Sequence, residues 1–250
     1  MANGRRDRAG RKRRWVRWCA VGVLLVCGVA GALVAQAYWR VHGRTLLEFS
    51  ICQNTDVILF SDFGEPPQFA IWLEDPVANR VQTVFVTRRS ATGDWEGKAE
   101  CPGSLPRWFE IYRQESGRDG LPTPEAPAPD AVSGATPKGE HFAWAVEVEP
   151  GSAWICWIEV NLSGDYNAAF QELDEATGRM DTDQSGQPSL LYRGEIVAEC
   201  GAVAHPELYG YAAPGGTLGE VKRDFDGLTS AQDIFESIEI RAVRPRVTLF

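Results

Sequence analysis

Residues 142–149 read FAWAVEVE, and this alternation constrains the fold of the chain more than any other stretch. Phe142, Trp144, Val146 and Val148 fall on one side, with Ala143, Ala145, Glu147 and Glu149 on the other. A period of two is that of a pleated strand with one buried face. Pro150-Gly151 marks a turn, and residues 153–160 (AWICWIEV) return as a strand apolar on nearly both sides, which suits a central position in a sheet. Residues 46–52, 69–74, 81–87, 189–198 and 236–243 carry the same strand composition, with a hairpin expected through 75–79. Helical signals are weak: 105–114 with Pro106 at its start, and one turn over 229–235 capped by Thr229 or Ser230. A parallel sheet would need a long crossover, usually a helix, between successive strands. The pattern predicts an all-β fold, an immunoglobulin-like antiparallel β-sandwich with long loops, preceded by an N-terminal hydrophobic helix.

Charge divides the chain in two. The first 37 residues hold eight basic side chains against one acidic, and the remainder holds 17 against 33, a net −16. An acidic body repels phosphate backbones, so nucleic acid is not an expected partner. The basic head runs into an uncharged, mostly apolar stretch from Cys19 to Ala35, followed by Gln36 and Ala37. These are the parts of an export signal, with small residues before a cleavage point after Ala37. With Trp18 the run is 18 residues long, near the lower limit of a membrane span, so a retained anchor stays open beside a cleaved signal. Residues 1–37 therefore read as signal peptide or anchor, and 38–250 as one exported domain. Its location is periplasmic, or anchored to the inner membrane through residues 18–37 with the N-terminus in the cytoplasm. A proline-rich loop at 117–130 (GRDGLPTPEAPAPD) reads as an extended excursion within that domain.

Export would place Cys52, Cys101, Cys156 and Cys200 in an oxidising compartment that permits two disulfides, with free thiols as the alternative. No Cys/His spacing suggests zinc, and His42, His141 and His205 lie far apart in sequence. No nucleophile elbow, zinc-protease helix motif or phosphate loop is present, so the chain is expected not to be an enzyme. Glu147, Glu149 and Glu159 read as solvent-facing strand residues, and Trp144, Trp154 and Trp157 read as core aromatics, with an exposed carbohydrate- or peptide-binding face as the alternative. Asn161-Leu162-Ser163 matches a glycosylation sequon.

Two stretches carry candidate cofactor chemistry. Asp130-Ala131-Val132-Ser133-Gly134-Ala135-Thr136 resembles the sequence at which exported bacterial flavoproteins carry FMN, esterified through phosphate to the final threonine. The resemblance implies Thr136 as the attachment point, with Asp130, Ser133 and Gly134 as its recognition residues. The Pro137-Lys138-Gly139 continuation departs from that pattern, and the alternative is a turn that leads into the next strand. Asp181, Asp183 and Ser185, spaced by two and followed by Gly186, resemble the first half of a calcium loop. The expected closing glutamate is missing, since Tyr192 stands there, and a solvated polar turn is the alternative.

The phrases FAIWLEDPVANRVQTVFVT, SLPRW, DAVSGATPKG, WIEVNLSGDYNAAF, GQPSLLYRGEI and DFDGLTSAQDI, in that order, resemble the predicted periplasmic family catalogued as domain of unknown function 2271. The resemblance covers residues 69–241 and implies an exported β-rich domain that often accompanies flavin-transfer and membrane-electron-transfer proteins. The expected function is a non-catalytic binding or accessory module of the bacterial cell envelope, whose partner is an envelope protein or redox partner, with no cofactor. The alternative is a redox carrier with covalent FMN at Thr136, and calcium is the metal alternative.

Overall fold

The computed structural model describes residues 43–61, 64–93, 104–128, 133–134, 137–181, 185–212 and 220–245, together with residues 25, 28, 29, 31 and 35. The chain divides into two units, Met1–Arg44 with Arg244–Phe250, and Thr45–Val243. In the first, Leu25, Gly28, Val29, Gly31 and Ala35 are helical, and most of the apolar run lies outside the described residues. Among the described residues no helix is long and apolar enough to cross a membrane.

Among its described residues the second unit contains twelve strands: β1 (Thr45–Gln53), β2 (Gln68–Asp75), β3 (Arg80–Thr87), β4 (Ser133–Gly134), β5 (His141–Val148), β6 (Ala153–Asn161), β7 (Leu173–Asp174), β8 (Arg179–Met180), β9 (Ser189–Val197), β10 (Val203–Ala204), β11 (Glu207–Ala212) and β12 (Phe235–Val243). The same residues include three α-helices, α1 (Thr55–Phe60), α2 (Arg88–Thr92) and α3 (Pro106–Ser116), and one 3₁₀ turn at Ser230–Asp233. One sheet has the order β10-β12-β1-β5, the other β11-β9-β6-β2-β3-β4, and β7-β8 form a small hairpin. Among the described strands the main pairings are antiparallel, and β4 runs parallel to its neighbour β3. The fold is therefore an all-β sandwich, as the alternation predicts, and the strand over 153–160 does sit at the centre of its sheet.

Alternation builds the core between the sheets. Leu47, Phe49 and Ile51 of β1, Phe69, Ile71 and Leu73 of β2, Cys156, Ile158 and Val160 of β6, and Ile238, Ile240 and Ala242 of β12 all point inward. Phe142 and Val148 of β5 join this core, and Trp144 and Val146 pack against it half-buried. Phe69 lies at its aromatic centre, with ring centroids 5.0 Å from Phe85, 5.0 Å from Phe142 and 5.9 Å from Phe235.

The six-stranded sheet is covered on its outer face too. Ala70, Trp72, Val86 and Leu191 point outward and meet Trp108, Ile111 and Tyr112 of α3. The i, i+3, i+4 spacing of those helix residues makes the stripe that faces the sheet. Pro106 starts α3, where its missing N–H costs nothing, and Gly117 ends it with φ +66 and a hydrogen bond to the Arg113 carbonyl. A second apolar layer explains why β2 and β6 are apolar on both sides: they are central strands of a layer that is itself sandwiched.

The proline-rich segment lies within this unit. Thr123 and Ala126 exchange backbone hydrogen bonds of 3.2 and 3.0 Å, and the Ala128 N–H donates to the Ala91 carbonyl at 2.8 Å, so the loop folds back against α2 rather than running extended throughout. Cys52, Cys156 and Cys200 are free thiols, the alternative that the sequence leaves open beside two disulfides. Cys101 lies outside the described residues. The physical reason is placement: Cys156 is buried facing the core, Cys52 is half-buried on the outer face of the opposite sheet, and Cys200 is exposed in a turn.

Because Phe69 is fully buried among three rings, Phe69→Ala is expected to lower unfolding stability by about 3–5 kcal/mol in a denaturant titration. Val77→Ala, at a turn position 91 % exposed, serves as the control and is expected to change stability by less than about 0.5 kcal/mol.

Candidate functional site

The most perturbed acid among the described residues is Glu159 of β6, which is wholly buried and not solvent-facing as its strand position suggested. Its Oε1 accepts from the Arg107 N–H at 3.1 Å and from Ser189 Oγ at 2.7 Å, and its Oε2 accepts from the Trp108 N–H at 2.6 Å. These two N–H groups belong to the first turn of α3, where no intrahelical partner exists, so a side chain from the sheet caps the helix. Burial pushes the carboxyl up to about 7, against the three hydrogen bonds and the Arg107 charge that favour ionisation. Both oxygens are occupied and no solvent reaches them, so this group anchors the helix and has no access to a substrate.

A second polar network joins three loops at one end of the sandwich. Gln187 Nε2 donates to Asp165 Oδ2 at 2.7 Å and to Ser230 Oγ at 2.9 Å, and Ser230 Oγ donates to Asp165 Oδ1 at 2.7 Å. The Thr229 N–H closes the network on Gln187 Oε1 at 2.7 Å. Gly186, at φ +68, lies so close to Asp165 that an added Cβ would stand 2.6 Å from its backbone nitrogen, so only glycine fits. Asn161 is buried and its amide donates to the Ser185 and Gln187 carbonyls at 3.1 and 2.9 Å, so the sequon asparagine is spent on the fold.

This network also takes up part of the candidate calcium loop. Ser185 is fully buried, and Asp181 Oδ2 accepts from the Gly186 N–H at 3.0 Å, while Asp183 lies outside the described residues. Of the candidate flavin loop, Asp130 and Thr136 lie outside the described residues. Ser133 and Gly134 form β4, paired with Val86 and Thr87 at the edge of the larger sheet. Downstream of the motif, buried Gln53 donates from Nε2 to the Gly139 carbonyl at 2.7 Å, and its own N–H donates to the Glu140 carbonyl at 2.7 Å. The stretch is thus held on both sides of Thr136, by β3 before it and by β1 after it.

Among the described residues, two groups of side chains with candidate binding chemistry reach the surface. On the outer face of the larger sheet, half-buried Trp157 and Tyr209 stand edge to face with centroids 5.0 Å apart. The Arg193 guanidinium lies 5.6 Å from the Trp157 ring and 5.9 Å from Tyr209, and that of exposed Arg223 lies 4.0 Å from Tyr209. Trp157 Nε1 donates to Glu74 Oε2 at 2.8 Å, which fixes the ring. Trp154, by contrast, is buried in the core. On the outer face of the smaller sheet, Cys52, Glu140 and His141 place ligand atoms within 4.8 Å of one another. Sequence reasoning missed this group because Cys52 meets the adjacent pair Glu140 and His141 only through the β1–β5 register, in which Cys52 lies opposite His141.

The raised carboxyl of Glu159 makes stability depend on pH. The folded chain holds this proton more tightly than the unfolded chain, so its contribution is fully present below about pH 4.5 and lost as pH rises through about 7. Asp75 and Asp174, whose carboxyls are held below the usual range chiefly by hydrogen bonds from Ala78 N–H and from the Thr177 hydroxyl respectively, act in the opposite sense and lose their contribution only as pH falls through their lowered values. Urea titrations at pH 5 and pH 7.5 are expected to show the wild type losing up to about 3 kcal/mol at the higher pH. Glu159→Gln is expected to flatten that difference, and an unchanged slope in this variant would assign the pH dependence to other groups.

No protein-family model matches the chain, and neither a curated protein nor a solved structure matches it significantly.

Proposed function

We propose that the chain is an exported, non-catalytic, immunoglobulin-like β-sandwich that acts as a binding module of the bacterial cell envelope, preceded by a hydrophobic export helix, and that it belongs to the periplasmic family of domain of unknown function 2271. The observation that carries this reading is the division of its polar side chains. Glu159 and the Asp165–Gln187–Ser230 group are buried and hydrogen-bonded within the fold, while half-buried Trp157, Tyr209 and Arg193, the last paired with Glu195, and exposed Arg223 form an aromatic and guanidinium surface. Such a surface suits a ligand that offers ring or peptide faces together with carboxylates. The family reading rests on the phrases named above, several of which meet in space: SLPRW, WIEVNLSGDYNAAF and GQPSLLYRGEI share Glu159, and the last two meet DFDGLTSAQDI at Asp165.

Two measurements test this reading. A C-terminal alkaline phosphatase fusion to the full chain is expected to be active, and an inactive fusion of full length would overturn export. Purified protein is expected to co-sediment with isolated cell-wall sacculi, and the double variant Arg193→Ala, Arg223→Ala is expected to lose most of that binding; equal sedimentation of the variant would remove the patch from the mechanism.

A second reading, a periplasmic redox carrier with FMN on Thr136, is favoured by one observation. Gln53 Oε1, beside the end of the motif loop, is buried and accepts no hydrogen bond from any described residue. Co-expressed in the periplasm with a flavin transferase, such a carrier gives a fluorescent band on a denaturing gel that Thr136→Ala abolishes. A dark wild-type band leaves the binding module alone.

A further inference from the structure

We propose that Cys52, His141, Glu140 and Glu236 form a site for one zinc-class divalent cation on the outer face of the four-stranded sheet. The four residues come from three adjacent strands. Cys52 is near the end of β1, His141 opens β5 opposite it, Glu140 directly precedes His141, and Glu236 lies on β12. Alternation turns Cys52 outward, because Ile51 and Gln53 on either side of it are buried, and His141 and Glu236 are exposed on the same face.

A bulge supplies the fourth member. Ladder pairing runs Cys52 to Ser237 and then Gln53 to Phe235, so Glu236 is the extra residue of β12 at this point. A bulge of this kind re-aims a side chain, and here it brings Glu236 Oε2 to 3.3 Å from Cys52 Sγ. Glu140 is fixed by its own backbone, whose carbonyl accepts from the Gln53 N–H at 2.7 Å.

Cys52, Glu140 and His141 already hold their ligand atoms within 4.8 Å of one another, and Glu236 adjoins this group through Cys52, so its side chain must swing toward the other two to complete a shell. With metal–ligand distances of about 2.0–2.3 Å, the edges of a tetrahedron are about 3.3–3.7 Å. The corresponding distances here are 3.3 Å from Cys52 Sγ to Glu236, 3.8 Å from Cys52 Sγ to Glu140 and 3.6 Å from His141 Nε2 to Glu140. Charge points the same way. Two carboxylates converge on one thiol, and among the described residues neither carboxylate is paired with a Lys or Arg, so a divalent cation would relieve their repulsion. A sulfur, an imidazole nitrogen and carboxylate oxygens form a borderline-soft set, which selects zinc and its later first-row neighbours over calcium or magnesium. On binding, Cys52 gives up its thiol proton to solvent, and the neutral imidazole and the two carboxylates donate lone pairs with no redox change.

The test uses the full purified chain, stripped of metal and kept reduced. Titration with Zn²⁺ is expected to show one site per chain that depends on Cys52, and Co²⁺ in its place is expected to give a thiolate-to-cobalt charge-transfer band with tetrahedral ligand-field absorption. Cys52→Ser is expected to abolish that band. Loss of a group that merely hydrogen-bonds a metal ligand costs about 10–100-fold in metal affinity, so His141→Ala and Glu236→Gln, which each remove a direct ligand, are expected to weaken Zn²⁺ binding at least about tenfold. Both of these residues are exposed, so these variants retain the fold and decide the question even where Cys52→Ser is unstable. Cys200→Ser, at an exposed thiol outside this group, is expected to leave the band intact. No charge-transfer band in the wild type, or unchanged zinc affinity in both His141→Ala and Glu236→Gln, would overturn the assignment.

Discussion

The carboxylate of Glu159 is the interaction on which the layering of this protein depends. It projects from β6, the central strand of the larger sheet, and takes the first two free N–H groups of α3. A helix laid on a sheet by apolar contacts alone is free to slide along its axis. Two hydrogen bonds from a single buried carboxylate fix the helix end at one point, and Ser189 of β9 fixes the carboxylate in turn. Trp108 then has one place to go: its ring packs over the sheet, and its Nε1 donates to Thr83 Oγ1 at 3.2 Å. The burial that makes this anchor specific also makes it costly, because a buried charge is repaid only by its hydrogen bonds. The result is a group balanced near neutrality, with a carboxyl at about 7.

Sequence patterning reveals those parts of the fold that repeat locally. The alternation of residues 142–149, the doubly apolar 153–160 stretch and the hairpin at 75–79 each appear as strands or turns within a residue or two of their expected bounds. Pro106 marks the start of α3 for a backbone reason that sequence alone carries. Short elements held by tertiary contacts leave no such trace. β4 exists because Ser133 and Gly134 pair with β3, and β11 lines up on β9 although ELYGYA has little alternation to show. Glu159 was legible in retrospect: one acid in an otherwise apolar, doubly buried strand has no solvent face to occupy, so it must find donors. The sheet partner of α3 was the missing information.

The candidate sites divide along the same line. The spacing of Asp181 and Ser185 points to calcium, and the structure gives each a place in the Gly186 turn: Ser185 is buried and Asp181 accepts from the Gly186 N–H. The surface group around Trp157 and the group around Cys52 had no sequence signature, because each gathers side chains from strands or loops distant in the chain. Antiparallel register alone decides which residues meet, and a one-residue slip of β5 against β1 would send His141 to the inner face.

That register also ties the motif loop to the smaller sheet. At the end of β1, Gln53 points inward and Cys52 outward, as strand geometry requires of neighbours. Gln53 holds the Pro137–Glu140 segment through two backbone carbonyls from within, while Cys52 meets Glu140 and His141 on the opposite surface. The residue that ends the DAVSGATPKG stretch is therefore followed at once by a residue whose backbone belongs to the Gln53 tether and whose carboxylate belongs to the outer cluster. The end of the stretch that the sequence marks and the cluster that only the fold assembles meet at Glu140, which touches both of the last two residues of β1.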